Sequence, residues 1–371
     1  MRQIARAAAV LLACAGVASC GGSETPARAV EPWPEADALF HQDPRWLGSD
    51  GGISIDLGRD RVAWLFPDTF VAISPNNTRE ESCLVRNTVG LMTGSDPETA
   101  EITFHWGTAP DGRPESFFPK ARDICFAEDD SWFWPGDGER LGEDGPLLIF
   151  LMRLRPTNEG LGFAGDGFEA VLVTNPDADP GEWHVEPARV RPNPWGIELG
   201  EAGVFVDGNW LYAFGGSESF DVHLARWPIE DAAAGDLRSP KWWAGTARGF
   251  VEQGALRARP PPLFGEALPE SVYRTESGRY VALQTVGFGG AALGVRTAPG
   301  PTGRWSPLTA VWSPPESARQ GIFVYGFKAH PELDAGDAVA VTYATNAESF
   351  ADVVRDESLG YPRFVQLRLA P

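Results

Sequence analysis

A turn followed by an apolar or aromatic strand recurs five times along this chain, and no other feature limits its possible folds as strongly. The five runs begin at Arg61, Gly145, Gly208, Gly278 and Asp337, with spacings of 84, 63, 70 and 59 residues. Each run lies between two further apolar runs, and short outer runs follow in places. Five units of three or four antiparallel strands are typical of a propeller. The sequence therefore predicts an all-β fold, a five-bladed β-propeller.

The alternative fold is a β-sandwich or a pair of sandwiches, which also consists of many short antiparallel strands. The fivefold count favours the propeller. The 42 glycines and 32 prolines oppose long helices, and only residues 230–235 look able to form a helical turn. The long and uneven spacing indicates long loops on one face rather than short regular repeats.

The N-terminal residues have the pattern of a secretory leader. Arg2 and Arg6 precede an apolar stretch, residues 7–17, that is too short to span a bilayer. We therefore predict a signal peptide over residues 1–19. The four residues that end at Cys20 resemble a bacterial lipobox, which implies cleavage before Cys20 and a lipid on its sulfur. The alternative is an ordinary signal peptide that is cut nearby.

The leader and the lipid site predict a protein of the bacterial cell envelope, anchored to a membrane and facing the periplasm or the exterior. Residues 20–37 are small and polar in large part, and we predict a lipidated flexible tether there. Residues 38–371 are predicted to form a single propeller domain. No later run approaches the roughly 18 apolar residues of a membrane-spanning helix, so Cys20 is the only expected membrane contact.

The net charge of −20 restricts the partners. A strongly acidic surface argues against nucleic acid and against anionic lipid. We expect a monomer.

Two cysteines, Cys83 and Cys125, remain once the leader and the lipid site are set aside. In an oxidising compartment they can form a disulfide; the alternative is two free thiols. The sequence has no CxxC and no HExxH, and its five histidines are scattered, so no metal and no cofactor is predicted.

A hairpin near the start of the predicted domain brings two acids together. Two alternating runs flank the turn at Arg59, so that paired positions sum to 118. Asp50 and Asp68 satisfy this sum, and facing residues have Cβ atoms about 4.5–5.5 Å apart. Two carboxylates that close repel each other, and one is driven to hold a proton. We predict Asp50 and Asp68 as the catalytic acid and base.

The first strand of each blade lines the central channel of a propeller, and acids stand where four of these strands are predicted to begin. They are Asp50, Asp130, Glu201 and Glu270. The predicted fifth blade has Tyr325 and Lys328 in the corresponding region instead. The alternative for any single acid is a turn former or a solvated side chain.

Four further residues complete the candidate substrate-binding set. Arg86 and Asn87 open the third strand of blade one, beside the Asp68 end of the hairpin, and Trp134 lies near a predicted inner-strand start. Arg86 can hold Asp68 ionised or bind a sugar hydroxyl, and a structural salt bridge is the alternative. His330 is also a candidate, although a lone histidine is commonly structural.

A ring of carboxylates beside many aromatic side chains suits a carbohydrate. Acids accept hydrogen bonds from sugar hydroxyls, and the C–H faces of sugars stack on tryptophan. Glycosidic cleavage needs one carboxylic acid on the leaving oxygen and one carboxylate that acts on water or on the sugar. Neither a Gly-x-Ser-x-Gly elbow nor a P-loop is present.

Several motifs resemble those of a known family. They are residues 46–52, Trp64-Leu65-Phe66-Pro67-Asp68-Thr69-Phe70, residues 85–89, residues 134–138, residues 325–328 and residues 343–346. Together they resemble a family of secreted bacterial five-bladed propellers classed as a domain of unknown function, some of whose members are endo-D-arabinanases. The resemblance covers most of residues 40–370. It implies a glycoside hydrolase whose catalytic carboxylates map to Asp50 and Asp68. Pro67 departs from the family pattern, in which Gly is more usual.

The sequence therefore supports two main functions. The first is a glycoside hydrolase that cleaves an arabinan-type or related polysaccharide with two carboxylates. The second is a propeller lipoprotein that binds a glycan or a protein without cleaving it; a purely structural envelope lipoprotein is a third reading.

Overall fold

The structure is a computed structural model that describes residues 26–119, 131–158, 160, 162–287 and 291–370. Five antiparallel sheets of four or five strands surround a central channel. They form a five-bladed β-propeller, which confirms the predicted fold.

The strands of each blade follow one another from the channel outward. Blade one contains Trp46–Ser49 and Ile53–Gly58 as two pieces of the inner strand, then Arg61–Ala72, Ser82–Thr93 and Glu101–His105. Blade two contains Trp132–Arg140, Leu147–Pro156, Phe163–Val173 and Val185–Pro187. Blade three contains Glu198–Asp207, Trp210–Gly216, His223–Pro228, Lys241–Trp243 and Phe250–Glu252. Blade four contains Leu268–Arg274, Tyr280–Val286, Ala292–Ala298 and Thr309–Trp312. Blade five contains Ile322–His330, Val339–Ala347, Arg363–Leu369 and, outermost, Ala27–Pro32.

Helices are short among the described residues. The α-helices are Ile229–Ala233 and Phe350–Arg355, and the 3₁₀ helices are Ala36–His41, Arg79–Glu81, Pro180–Glu182, Gln253–Ala255 and Pro315–Ala318. Two small extra ladders join Arg189–Val190 to Asp236–Leu237 and Gly107–Thr108 to Pro114–Glu115. The helix at Ile229–Ala233 coincides with the one helical turn expected from the sequence.

Blade five is closed by both ends of the chain. The strand Ala27–Pro32 pairs with Arg363–Leu369, with Val30 opposite Leu367. This pairing covers a strand edge that would otherwise be open. The predicted tether through residue 37 is therefore wrong in its second part, because residues 27–32 are a strand of the propeller and the helix Ala36–His41 packs into its core. Residues 1–25, with the predicted leader and Cys20, lie outside the described residues.

The hydrophobic core lies between neighbouring blades. Trp46, Trp64 and Phe66 of blade one pack with Phe364 of blade five in one cluster. Other clusters join the remaining neighbouring pairs of blades in the same way. Each sheet therefore buries both of its faces, which fixes the blades rigidly around the channel.

The blade-one hairpin has the predicted register. Ile53 faces Leu65 and Ile55 faces Ala63, so the paired numbers sum to 118 as expected. Arg59 and Asp60 form the turn with φ of 58° and 55°, the left-handed values of a two-residue I′ turn. Gly58 pairs with Arg61, a sum of 119, and a bulge between Asp56 and Gly58 restores the sum of 118 in the strands.

Candidate active site

Every inner strand is interrupted near its start by a shift in register. The shifts fall at residues 47–48, 136–137, 200–202, 270 and 326–327, and in blade one the pairing also lapses at 50–52 without a change of register. A bulge bends the strand and redirects a side chain. At Gly51 the backbone has φ of +106°, a conformation that glycine adopts without strain. We call the end of the propeller that carries these five bulges the acid face, and the opening of the channel there the mouth.

Asp50 and Asp68 meet at the mouth. The backbone N–H of Asp50 donates to the carbonyl of Asp68 at 3.2 Å, in the register that places them opposite each other. Both side chains are partly exposed. The Asp50 carboxylate accepts hydrogen bonds from the Tyr325 hydroxyl and, at 3.2 Å, from the Asn346 amide. Blade five therefore orients the acid that blade one supplies.

Asp68 has a different set of partners. The Trp134 indole N–H of blade two donates to Asp68 Oδ1 at 2.8 Å, and the Arg86 guanidinium lies 3.3 Å from the same oxygen. The guanidinium also lies over the Trp132 ring, 4.2 Å from its centroid. The Asp68 side chain retains 19% of its exposure, so a ligand in the mouth can still reach the carboxylate.

The two carboxyls have unequal electrostatic environments. Burial raises the pKa of Asp50 to about 6, and the negative charges of Asp68 and Glu270 also raise it, against the hydrogen bonds from Tyr325 and Asn346. Burial also raises the pKa of Asp68, but the charge of Arg86 and the Trp134 hydrogen bond oppose that rise. Asp50 can therefore hold a proton near pH 6, while a cation beside Asp68 favours its ionised form.

Glu201 and Glu270 extend the ring of acids across blades three and four. Glu270 accepts hydrogen bonds from the Thr285 hydroxyl at 2.7 Å and from the Gly326 N–H at 3.1 Å. Glu201 accepts one from the Gly216 N–H at 3.0 Å. Burial raises the pKa of Glu201 to about 7 and also raises the pKa of Glu270.

Lys328 of blade five lies in the middle of these acids. Its ammonium donates to the backbone carbonyls of Glu201, at 2.8 Å, and of Glu270. Its positive charge opposes the rise in the pKa of Asp137, Glu201 and Glu270. Blade five therefore has a lysine where the other blades have acids, and this cation partly offsets the negative charge of the ring of carboxylates.

Asp137 is the acid at the bulge of blade two, and the sequence reasoning did not select it. Its Oδ2 accepts a hydrogen bond from the Val204 N–H of blade three at 2.8 Å, and burial raises its pKa to about 6. The sequence pattern predicts this acid at Asp130, which lies outside the described residues. The inner strand begins only at Trp132, so Asp137 takes the place in blade two that Glu201 takes in blade three. The signal was present in residues 134–138, one of the family motifs.

Two predicted binding residues are interior. Asn87 is fully buried, and its amide bonds to the backbone of Phe118 and Phe133. The ring of His330 is also fully buried, and its nitrogens bond to the hydroxyls of Ser54 and Thr342. Burial lowers the pKa of His330 to about 3, so the ring is neutral. Both side chains hold blades together, and because neither is exposed, neither is placed to contact a substrate as predicted.

The remaining sequence predictions concern cysteines, metals and membranes. Cys83 is in a disulfide, while Cys125 lies outside the described residues, so the pairing stays a prediction. Within the described ranges, no cluster of three or more His, Cys, Asp or Glu side chains is arranged to hold a metal ion. None of the helices in those ranges is long and apolar enough to cross a membrane.

Residues 35–368 match the family model described as "Domain of unknown function (DUF5005)". The match spans most of the chain, and this protein belongs to that family. No curated protein matches the chain in sequence.

Solved structures share the fold. A provisionally assigned hydrolase from Bacteroides ovatus ATCC 8483 superimposes with a TM-score of 0.73 at 16% identity, over 91% of this chain and 90% of that one. At this identity the likeness supports the propeller fold alone. An exo-β-1,3-galactanase from Phanerochaete chrysosporium gives a TM-score of 0.48 at 11% identity, covering 87% of this chain and 63% of that one. An α-L-arabinofuranosidase from Podospora anserina gives 0.45 at 12% identity, covering 95% and 94%. At these scores the last two add nothing to the functional argument.

Proposed function

We propose that this protein is a glycoside hydrolase that cleaves a neutral polysaccharide, of arabinan type or related to it, at the mouth of the propeller. The observation that carries the proposal is the pair Asp50 and Asp68. The two acids are adjacent, partly exposed and held in unequal environments, because Arg86 and Trp134 oppose the rise in the pKa of Asp68. Unequal environments allow one carboxyl to act as an acid while the other acts as a carboxylate.

The surroundings of each acid support a separate role for it. Asp50, with a pKa raised to about 6, donates its proton to the leaving glycosidic oxygen. Asp68, beside the Arg86 guanidinium, remains the carboxylate that acts on water or on the sugar. Trp134 and Arg86 fix the orientation of Asp68. A neutral substrate is consistent with the net charge of −20.

The test is sugar release from a panel of polysaccharides that includes arabinan. We expect the wild type to release oligosaccharides, and Asp50→Asn and Asp68→Asn each to lose most of that activity. Asp60→Asn is the matched control, because Asp60 is exposed at the turn of the same hairpin and its left-handed backbone accommodates asparagine. Equal activity in all four proteins would contradict the assignment. The anomer of the first product, followed by NMR, distinguishes attack by water from attack by Asp68.

The second candidate is a propeller that binds a glycan or a protein without cleaving it. Several channel acids have structural partners that favour this reading: Asp137 binds the backbone of blade three, and Glu270 binds that of blade five. The same panel separates the two candidates. Polysaccharide affinity that is retained in the wild type and both Asn variants, without sugar release by any of them, would favour the binder.

We also propose that the mature protein is anchored through a lipid on Cys20. The lipobox-like residues that end at Cys20 support this proposal. Metabolic labelling with a radiolabelled fatty acid should mark the wild type and leave Cys20→Ala unlabelled. A labelled Cys20→Ala protein would contradict the proposal.

A further inference from the structure

A second cavity opens on the acid face, outside the mouth. It is a cleft of about 740 Å³, within the range of small-ligand sites. It lies between the segment that enters the inner strand of blade five and the helix Phe350–Arg355. Its polar lining includes Arg319, Gln320, Ser349, Asp352, Arg355 and Asp356. We call it the blade-five cleft.

The cleft lies close, along two neighbouring strands, to the residues that hold Asp50. Ile322 and Ala347 line the cleft and face each other in neighbouring strands. The residue before Ala347 is Asn346, which donates to Asp50. Tyr325, the other partner of Asp50, lies three residues along the strand from Ile322, or about 10 Å at roughly 3.3 Å per residue. A polymer bound at the mouth can therefore extend into the cleft.

The charges of the cleft select against anions. Arg319 pairs with Asp356 at 3.0 Å, and Arg355 pairs with Asp352 at 3.6 Å. Glu348 adds a negative charge to the lining. Because each arginine already faces a carboxylate, the cleft has no excess positive charge to attract an anion. It offers fixed N–H donors beside carboxylate acceptors, which together match the donor and acceptor character of sugar hydroxyls.

The first residue of the same helix is aromatic: Phe350 follows Ser349, which lines the cleft, and is itself next to the lining rather than part of it. Phe350 is 51% exposed, and one side of its ring stacks on Phe70 with centroids 5.9 Å apart. The stack holds the ring in a fixed orientation while half of its surface remains open. An exposed, fixed aromatic ring is suited to the apolar C–H face of a sugar.

We propose that the blade-five cleft is an accessory subsite that binds a neutral sugar unit of the polymer, several ångströms beyond the bond cleaved at the mouth. This inference rests on the proposed function for the catalytic step, but not for the binding step. It predicts that long substrates gain affinity from residues that short substrates never reach.

The experiment compares Phe350→Ala and Arg355→Met with the wild type. Both side chains are exposed, so folding should survive, and thermal melting checks this. The control is Arg248→Met, an exposed arginine of blade three. Two readouts are used: affinity electrophoresis on the polysaccharides of the panel, and kcat/KM on a polymer and on a trisaccharide.

We expect each cleft variant to weaken polymer affinity by about threefold to tenfold, the size expected for losing a contact or a hydrogen bond. KM for the polymer should rise by the same factor, while kcat and all trisaccharide constants stay unchanged. Equal effects on polymer and trisaccharide, or none on either, would overturn the subsite while leaving the hydrolase intact. If the wild type binds a polysaccharide without cleaving it and the cleft variants bind it more weakly, that result would support the subsite and overturn the hydrolase. A wild type that neither binds nor cleaves any polysaccharide would overturn both.

Discussion

The Tyr325 hydroxyl controls the proton on Asp50, and removing it should change the pH range of activity. Among the influences that lower the pKa of Asp50, the hydrogen bond from Tyr325 is the largest, and the one from Asn346 is smaller. Burial acts in the opposite direction and dominates, so the pKa is about 6. Tyr325→Phe keeps the ring and removes only the donor.

The size of the effect follows from the strength of the bond. A hydrogen bond to a charged group contributes about 1.5–3 kcal/mol, and one pKa unit corresponds to about 1.4 kcal/mol. The full loss would raise the pKa by roughly one to two units. Because Asn346 still donates to Asp50 and water can enter through the mouth, we expect the lower end. The pKa of Asp50 should therefore rise from about 6 by about one unit.

The assay is the pH dependence of kcat/KM, which reports the ionisation of the free enzyme. If Asp50 is the general acid, activity declines as pH rises through its pKa, and this alkaline limb should move up by about one unit in Tyr325→Phe. The control is Tyr343→Phe, because the Tyr343 hydroxyl donates to Glu316 at 3.1 Å. That variant should leave the limb in place.

Two results would refute the reasoning. An alkaline limb that stays in place in a folded, active Tyr325→Phe protein would mean that Asp50 is not the titrating acid. A limb that moves to lower pH would mean that the phenol stabilises the neutral acid rather than the carboxylate.

Three further predictions concern stability and the channel. Burial raises the pKa of Glu139 from 4.5 to about 8, so the stability linked to its proton is full below pH 4.5 and is lost as pH rises to 8. Glu139→Gln should flatten the decline of the melting temperature over that range, and Glu143→Gln, at an exposed position, should not. Arg79 is buried and donates to three backbone carbonyls within 2.9 Å, so Arg79→Met should cost roughly 3 kcal/mol or more in urea unfolding, and a loss under 1 kcal/mol would contradict these contacts. Lys328→Met should raise the pKa of Glu201, measured by carboxyl NMR titration, whereas an unchanged pKa would mean that the ammonium does not act on it.

The fold and the pairing of Asp50 with Asp68 could be predicted because both depend on local pattern. Alternating runs that recur with glycine turns identify the blades, and a two-residue turn fixes the register of the strands on either side. Asp50 and Asp68 belong to one hairpin, so the sum of 118 placed them without knowledge of the rest of the molecule.

The partners of the pair could not be predicted in this way, because they come from the closure of the ring. Tyr325 lies 275 positions from Asp50, and Asn346 lies 296 positions from it. His330 ends an inner strand and contacts Ser54, 276 positions away. No periodicity in the sequence reports which residues of the last blade face those of the first.

Asp137 was missed for a different reason. A bulge sets two residues of one strand against one of its partner, and the surrounding Trp134-Pro135-Gly136-Asp137-Gly138 has the composition of a turn. The structure continues it as a strand with a shift in register. Local composition shows that the strand is interrupted near Gly136, but it does not show that the strand resumes after the interruption.

The strand that completes blade five also determines how the molecule would stand on a membrane. Ala27 pairs with Leu369, at the end of the blade remote from the Ile322 and Ala347 pair on the acid face. The chain therefore enters the propeller at the end opposite the acid face. With an acyl group on Cys20, as proposed, only six residues separate the lipid anchor from Ala27. So short a connection would keep the opposite end against the bilayer and would turn the mouth away from the membrane, toward polymer arriving from the surroundings.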